Sequence, residues 1–66
     1  MNKLTVLRKT ARLTQEELAE RAKTNRVYVS LIELGRRNPT EEELKRIAKA
    51  LQFKGEPAEL LTEVEL

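Results

Sequence analysis

Lysine and arginine supply most of the binding chemistry in this sequence, and they are unevenly distributed along it. Residues 1–40 contain nine Lys and Arg against four Glu, a net charge of +5, whereas residues 41–66 contain four against seven, a net charge of −3. Clustered cations attract polyanions, and the cluster here lies in the first part of the chain. The charge distribution therefore indicates a polyanionic partner for this part, with nucleic acid as the first candidate.

Side chains that carry catalysis or bind metals are scarce. The 66 residues include no Cys and no His, which removes thiol nucleophiles, imidazole bases and Cys/His zinc ligands, and excludes disulfides. Neighbouring carboxylates occur only where predicted helices begin, a position that acidic residues favour because of the helix dipole. We therefore expect a protein that is not an enzyme and that uses no metal or cofactor.

The length limits the chain to a single domain over residues 1–66. No apolar run approaches the ~20 residues that span a bilayer. The beginning of the chain, MNKLTVLRKTARLTQ, also lacks the continuous apolar block of a signal peptide. We expect a cytoplasmic protein without a membrane partner, stabilised by helix packing or by a partner subunit.

Helix signals define the first two elements. Apolar residues spaced i, i+3 and i+7 predict a helix that begins near Asn2; they are Leu4, Leu7 and Ala11. The next helix, QEELAERA, follows Thr14. Thr14 and Glu17 have the spacing of a capping box, in which each side chain bonds the other residue's backbone N–H.

The third and fourth helices have equally clear ends. Asn25 is a favourable N-cap for the third helix, and Gly35 is a natural residue to end it. Thr40 and Glu43 form a second capping box. The helix after Thr40 has the most regular amphipathic pattern in the chain, formed by Leu44, Ile47, Ala48 and Leu51.

The last part of the chain predicts a short fifth helix. Gly55 interrupts the chain, and Pro57 suits the first turn of a helix that continues to Leu61. The tail TEVEL is consistent either with a frayed helix end or with a strand that pairs only with a partner. The predicted fold class is all-α, a compact domain of four to five helices.

The third helix carries two apolar faces. Val29 and Ile32 have the spacing of a buried face, whereas Val27, Leu31 and Leu34 lie on a different side. A small polar domain needs only one buried face per helix. The second face therefore suggests that this helix presents a surface to a partner.

The second and third helices are joined by a very short turn at residues 22–25, which is the arrangement of a helix-turn-helix. The stretch LTQEELAERAKTNRVYVSLIELGRRNPTEEELKRIAKAL resembles the Cro/repressor-type helix-turn-helix family, also called the XRE family. It has the pattern L-T-Q-x-x-L-A, a turn, V/I-S-x-I-E-x-G, N-P-T and a helix ending I-A-x-A-L. The resemblance runs from about residue 4 to residue 61 and implies a third helix that enters the DNA major groove.

The resemblance assigns the reading of bases to the helix Arg26–Leu34. It implies that Arg26 pairs with guanine O6/N7 or with a phosphate, and that Val27 and Leu31 pack on thymine methyl groups. This assignment explains the second apolar face, because these residues would point away from the core.

Six further residues are predicted to contact the DNA backbone: Gln15, Asn25, Tyr28, Arg36, Arg37 and Asn38. Gln15 begins the second helix, where free backbone N–H groups favour a phosphate; the less favoured alternative is a solvated polar residue. The Tyr28 hydroxyl would donate to a phosphate, or its ring would fill the helix margin. Arg36 and Arg37 would release counterions from the backbone.

The resemblance also implies two structural features. Arg8 and Glu33 match positions that commonly form a partly buried ion pair between the first and third helices. Arg12, Lys23 and Gln52 stand where the family often has glycine. If Lys23 adopts a positive φ, it is strained by roughly 1 kcal/mol relative to glycine.

The resemblance implies a sequence-specific DNA-binding transcriptional regulator, a repressor of phage or restriction-system type or the antitoxin of a toxin pair. It would bind double-stranded DNA with a two-fold operator as a homodimer. Segment 53–66 is the predicted dimerisation segment, with contacts from Phe53, Leu61, Val64 and Leu66. The alternative role of these residues is closure of the core, which is the favoured role for Phe53. The alternative is a protein-interaction module on the same fold, an antitoxin, anti-repressor or adaptor, that uses an outward apolar stripe of Val27, Leu31 and Leu34.

Overall fold

Residues 1–65, the part of the chain that the structure (a computed structural model) describes, form four α-helices and a final 3₁₀ helix. The helices are α1 (Lys3–Thr10), α2 (Gln15–Ala22), α3 (Arg26–Glu33), α4 (Glu41–Ala50) and the 3₁₀ helix (Pro57–Leu61). No β-strand occurs in residues 1–65, so the predicted all-α fold of four to five helices is confirmed. None of these helices is long and apolar enough to cross a membrane.

Side-chain caps fix where each α-helix begins. The Asn2 and Asn25 side chains accept the backbone N–H groups of Thr5 and Tyr28, respectively. Thr14 and Thr40 form complete capping boxes with Glu17 and Glu43, as predicted. Each cap satisfies donors that the first helical turn leaves without an intrahelical partner, which explains why these boundaries can be located from sequence.

Left-handed residues end the first, second and fourth helices. Arg12, Lys23 and Gln52 have φ angles of 59°, 59° and 56°, although none of them is glycine. Gly35 plays the same part after α3, with a φ of 74°. The left-handed conformation at Lys23 reverses the chain between α2 and α3 and so permits a turn of only three residues, 23–25.

The core lies where α2 packs against α3 and α4, and where the 3₁₀ helix closes over α1 and α4. Six large side chains are essentially inaccessible to solvent: Leu4, Leu18, Val29, Ile32, Ile47 and Leu60. Full burial of an aliphatic side chain of this size stabilises the fold by about 1.5–3 kcal/mol. Since every helix contributes to this cluster, the core fixes the orientation of α3.

The two ends of the described chain pair with each other. Asn2 and Glu63 form an isolated antiparallel bridge, and the Val64 N–H donates to the Met1 carbonyl at 2.8 Å. The expectation for TEVEL, a frayed helix end or a strand that pairs only with a partner, is therefore wrong. A third bond also joins the tail to the first helix of the same chain: the Lys3 N–H, at the start of α1, donates to the Thr62 carbonyl at 2.9 Å.

Candidate functional site

Helix α3 has one face in the core and another in solvent. Tyr28, Val29 and Ile32 are buried, whereas Val27 and Leu34 are 59% and 63% exposed. Arg26 is exposed, and Leu31 is half-buried rather than fully projecting. The helix ends at Glu33 with Leu34 as its C-cap, one residue earlier than predicted.

A shallow surface pocket of about 270 Å³ brings several of the predicted site residues together. It lies between the start of α3, the loop after α3 and the start of α4. Five of its lining residues were expected to contact DNA or a partner, namely Asn25, Val27, Tyr28, Leu31 and Arg37, and Thr24 and Glu43 complete it. Arg36 and Asn38, also predicted, are exposed beside it in the same loop.

Tyr28 connects three elements within this pocket. Its hydroxyl donates to the Glu43 Oε1 atom at the start of α4, and the Arg37 guanidinium lies over its ring, 4.5 Å from the centroid. Burial raises the pKa of the Tyr28 hydroxyl, and the bond to Glu43 raises it further. The same hydrogen bond, followed by the backbone N–H of Thr40, lowers the pKa of the Glu43 carboxyl.

Sequence reasoning missed two residues of this pocket, Thr24 and Glu43, and Glu43 is the one that bonds Tyr28. It was interpreted only as the capping-box partner of Thr40 and as an acidic residue in a first helical turn. Its capping-box spacing explains its bond to Thr40, but not its bond to Tyr28, which lies 15 residues away. The sequence pattern holds no information about that second partner.

Arg8 and Glu33 lie together beneath the solvent-facing surface. Arg8 Nε is 2.6 Å from Glu33 Oε2, and a second bond of 3.2 Å from Arg8 Nη2 to Glu33 Oε1 makes the contact bidentate. The Gln15 side-chain amide also donates to Glu33 Oε1, at 3.1 Å. The side chains of Arg8 and Glu33 are only 11% and 7% exposed. Because the bonds join residues of α1, α2 and α3, this group links the three helices.

The joint between α2 and α3 is held from outside by α4. Arg46 Nε donates to the carbonyl of Ala22, the last residue of α2, at 3.0 Å. The Thr24 N–H returns to the Ala19 carbonyl at 2.9 Å. Arg46 was not singled out in the sequence, because its partner is a backbone atom 24 residues away.

Comparison with known families matches this arrangement to a family model described as a helix-turn-helix domain, over residues 2–61. The chain belongs to the helix-turn-helix domain family. In this helix-turn-helix domain, α2 and α3 are the two helices joined by the turn. Comparison with solved structures gives no significant match.

Two curated relatives of the domain come from Mycobacterium tuberculosis, one from strain CDC 1551 / Oshkosh and one from strain ATCC 25618 / H37Rv. Both are described as uncharacterized HTH-type transcriptional regulators. Each is 41% identical over 49 residues, which is 74% of this chain and 35% of the relative. The matched part of this helix-turn-helix domain thus spans about a third of the length of these relatives.

Most of the predicted dimer residues of the helix-turn-helix domain contribute to its own packing. Phe53 and Leu61 pack against the core, and Lys3 Nζ lies 5.3 Å from the centroid of the Phe53 ring. Val64 is half-buried in the terminal pairing. The predicted contact of Leu66 lies outside the described residues. Within residues 1–65, no group of three or more His, Cys, Asp or Glu side chains is arranged to hold a metal ion.

Proposed function

We propose that the protein is a sequence-specific DNA-binding transcriptional regulator of the Cro/repressor (XRE) type that acts as a repressor. The observation that carries the proposal is the solvent-facing side of α3, where Arg26 and Val27 are exposed next to the half-buried Leu31. A helix-turn-helix inserts this face of its second helix into the major groove. The descriptions of the two mycobacterial relatives as transcriptional regulators support the same function.

Base reading in this proposal combines one cation with two apolar contacts. Arg26 lies in the first turn of α3, where a side chain reaches base edges, and donates to guanine O6 and N7. Val27 and Leu31 are one helical turn apart, so they contact neighbouring thymine methyl groups. The half-burial of Leu31 fixes its side chain and leaves Val27 as the larger apolar contact.

Backbone contacts come from both sides of α3. The exposed Arg36, Arg37 and Asn38 donate to phosphates that follow the groove. At the start of α2, the Gln15 side chain is bonded to Glu33, so a phosphate there binds the free backbone N–H of Gln15. Asn25 caps α3 with its Oδ1 atom, and its role toward DNA is to fix the beginning of the reading helix.

The proposed assembly is a homodimer on a two-fold operator. Each protomer reads one half-site, and the half-sites are about one helical turn, roughly 34 Å, apart. The tail 53–66 supplies the contact between protomers, with Val64 as its half-buried apolar residue beyond the 3₁₀ helix. Phe53 and Leu61 would contribute only the parts of their side chains that the core leaves uncovered.

The test is a DNA titration with two matched triple variants. DNA ligands are first selected from a random duplex library, and affinity is then measured by fluorescence anisotropy from 50 to 300 mM salt. Replacing Arg26, Arg36 and Arg37 by alanine should remove specific binding and lower the slope of log K against log salt by about 0.9 per lost phosphate contact. The matched control replaces Lys45, Lys49 and Lys54, which removes the same charge from α4 and the loop after it.

The two variants have the same net charge, so any difference between them in DNA affinity reflects the positions of the removed charges. The lysine variant should retain the sequence preference with only a modest loss of affinity. Selective binding that survives in the arginine variant would overturn the site assignment. Failure of the wild-type chain to bind any duplex at 50 mM salt would overturn the proposed function itself.

A second candidate function, a protein-interaction module, is favoured by one observation. Val27 and Leu34 are apolar yet 59% and 63% exposed, and with Leu31 they form one stripe along α3. Exposed apolar stripes usually mark a contact surface. Replacement of Leu34 by serine separates the candidates, since Leu34 makes no base contact in the DNA-reading proposal. Unchanged DNA affinity in this variant supports DNA reading, and absence of DNA binding in the wild-type chain leaves the stripe as the functional surface.

A further inference from the structure

We propose that Glu43 is a positioning residue for DNA binding, which holds Tyr28 and Arg37 so that the Arg37 guanidinium is fixed in place for a phosphate. The inference rests on the proposed function and adds to it a carboxylate that the DNA-reading assignment does not include. It also changes the role of Tyr28 from a phosphate donor to a support for Arg37.

The three residues come from three different elements. Tyr28 lies on α3, Arg37 in the loop after α3, and Glu43 in the first turn of α4. Glu43 Oε1 accepts the Tyr28 hydroxyl and also the Thr40 backbone N–H, the latter at 2.8 Å. One carboxylate oxygen is therefore held by the helix cap and in turn holds the tyrosine hydroxyl.

The Tyr28 ring forms a fixed platform for the loop arginine. The residue is only 6% exposed, and its backbone N–H is bonded to the Asn25 cap at 2.8 Å. The exposed Arg37 places its guanidinium carbon 4.5 Å from the ring centroid, within the distance of a cation–π contact. The negative charge of Glu43 nearby attracts the same guanidinium, which is one of the causes that lower the Glu43 pKa.

Such a support matters because a free arginine side chain loses much conformational freedom when it binds. A guanidinium that is already stacked and attracted to one position loses less of this freedom on contact with DNA, so binding is tighter. Arg36, the neighbouring arginine, stacks on no aromatic ring in residues 1–65. It provides an internal comparison for Arg37.

The sign of the effect distinguishes this role from simple electrostatics. A carboxylate near DNA repels phosphates, so its neutralisation should strengthen binding unless it positions a cation. Glu43→Gln keeps the capping box, because glutamine also serves at this position. Glu42→Gln removes the same charge from the adjacent residue and serves as the control. The Glu42 side chain is 84% exposed, and its pair with Arg46 on the same helix, at 3.7 Å, is of the exposed kind that contributes little.

The experiment compares the DNA affinity of the full chain and the variants Glu43→Gln, Tyr28→Phe, Arg37→Ala and Glu42→Gln. Thermal unfolding of each free variant verifies that it is folded at the assay temperature. Both variants keep an aromatic ring beneath Arg37: Glu43→Gln removes the charge that attracts the guanidinium, and Tyr28→Phe removes the hydroxyl that Glu43 holds. Each should therefore weaken binding measurably, by no more than about two- to fivefold, the range that corresponds to a whole exposed cation–π contact. Glu42→Gln should leave binding unchanged or strengthen it.

Other outcomes would overturn the inference. If the Tyr28 hydroxyl donated to a phosphate, Tyr28→Phe would weaken binding, but Glu43→Gln would strengthen it, because it removes a negative charge that repels that phosphate. Equal changes in DNA affinity for Glu43→Gln and Glu42→Gln would show that Glu43 has no positioning role. If the wild-type chain showed no salt-dependent binding to DNA at all, the proposed function itself would be wrong.

Two readouts separate positioning from a merely structural role. In a double-mutant cycle, Arg37→Ala should cost less affinity in the Glu43→Gln background than in the wild type. In the DNA-free protein, the ¹⁵Nε heteronuclear NOE should show Arg37 more ordered than Arg36, and Glu43→Gln should remove the difference. Identical mobility of the two arginines in the wild type would overturn the proposal.

Discussion

At the scale of single residues, three helix ends carry backbone strain that glycine would not. Arg12, Lys23 and Gln52 all have φ angles near +60°. Each follows the last turn of a helix, where its N–H group still reaches back to a helical carbonyl. The left-handed conformation costs a residue with a Cβ atom about 1–2 kcal/mol, so substitution by glycine at any of these three positions should stabilise the fold.

Lys23→Gly tests this strain at the turn between α2 and α3. Removal of the left-handed penalty outweighs the extra backbone entropy of glycine in the unfolded chain, so we expect stabilisation by about 0.5–1 kcal/mol. Urea unfolding followed by circular dichroism measures the difference. Lys49→Gly removes the same exposed side chain from a helical position and should destabilise by about 1 kcal/mol. Losses of equal size in both variants would show that Lys23 is unstrained.

At the scale of elements, helix ends were predictable because their signals are local. Thr14 and Glu17, or Thr40 and Glu43, lie three residues apart, and both capping boxes formed as the sequence indicated. The two faces of α3 were also predictable from its 3.6-residue period, apart from the degree of exposure of Leu31. Patterns of this range depend little on how the rest of the chain folds.

Contacts between distant elements were harder to predict. The Tyr28 hydroxyl bonds Glu43 across 15 residues, and the Asn2 side chain donates to the Ile32 carbonyl across 30. Neither pair has a sequence period, because each depends on how the helices pack. The Arg8 and Glu33 positions were identified only through family resemblance, and the self-pairing of the tail at Glu63 was missed.

The capping box of α2 makes stability depend on pH. The Thr14 backbone N–H, followed by its hydroxyl, lowers the pKa of Glu17 below its ordinary value of 4.5. Since the folded-state pKa is the lower one, the carboxylate contributes stability above pH 4.5, and this contribution is lost as the pH falls through the folded-state pKa. Glu17→Gln keeps the box but removes the titration.

Chemical denaturation at pH 7, 5 and 3 measures this dependence. The wild type should lose more stability between pH 5 and pH 3 than Glu17→Gln, and the two should approach each other at pH 3. Glu16→Gln is the matched control, since Glu16 lies in the same first turn while the cap bond is made by Glu17. Parallel curves for the wild type and Glu17→Gln would contradict the assignment.

At the scale of the whole molecule, one small core supports two separate surfaces. The first 40 residues carry a net charge of +5 and include α3 with its exposed arginine and valine, whereas the remainder carries −3. Attraction to DNA therefore favours approach with the α3 side forward. The acidic remainder, which includes the tail, is left to face away from DNA or toward another protomer.

The proposed homodimer gives the prediction that belongs to this scale. Val64 is half-buried at the tail, and a carboxylate there would place a charge in the contact between protomers. Val64→Glu should shift sedimentation equilibrium from dimer toward the 7.6 kDa monomer. On a two-half-site operator, it should replace cooperative binding by independent binding, because two linked protomers bind the second half-site at a high effective concentration.

Gln52→Glu adds the same charge at an exposed position just before the tail and should preserve the dimer. A wild-type chain that sediments as a monomer at all concentrations and binds half-sites independently would contradict the two-fold assembly while leaving base reading by α3 intact.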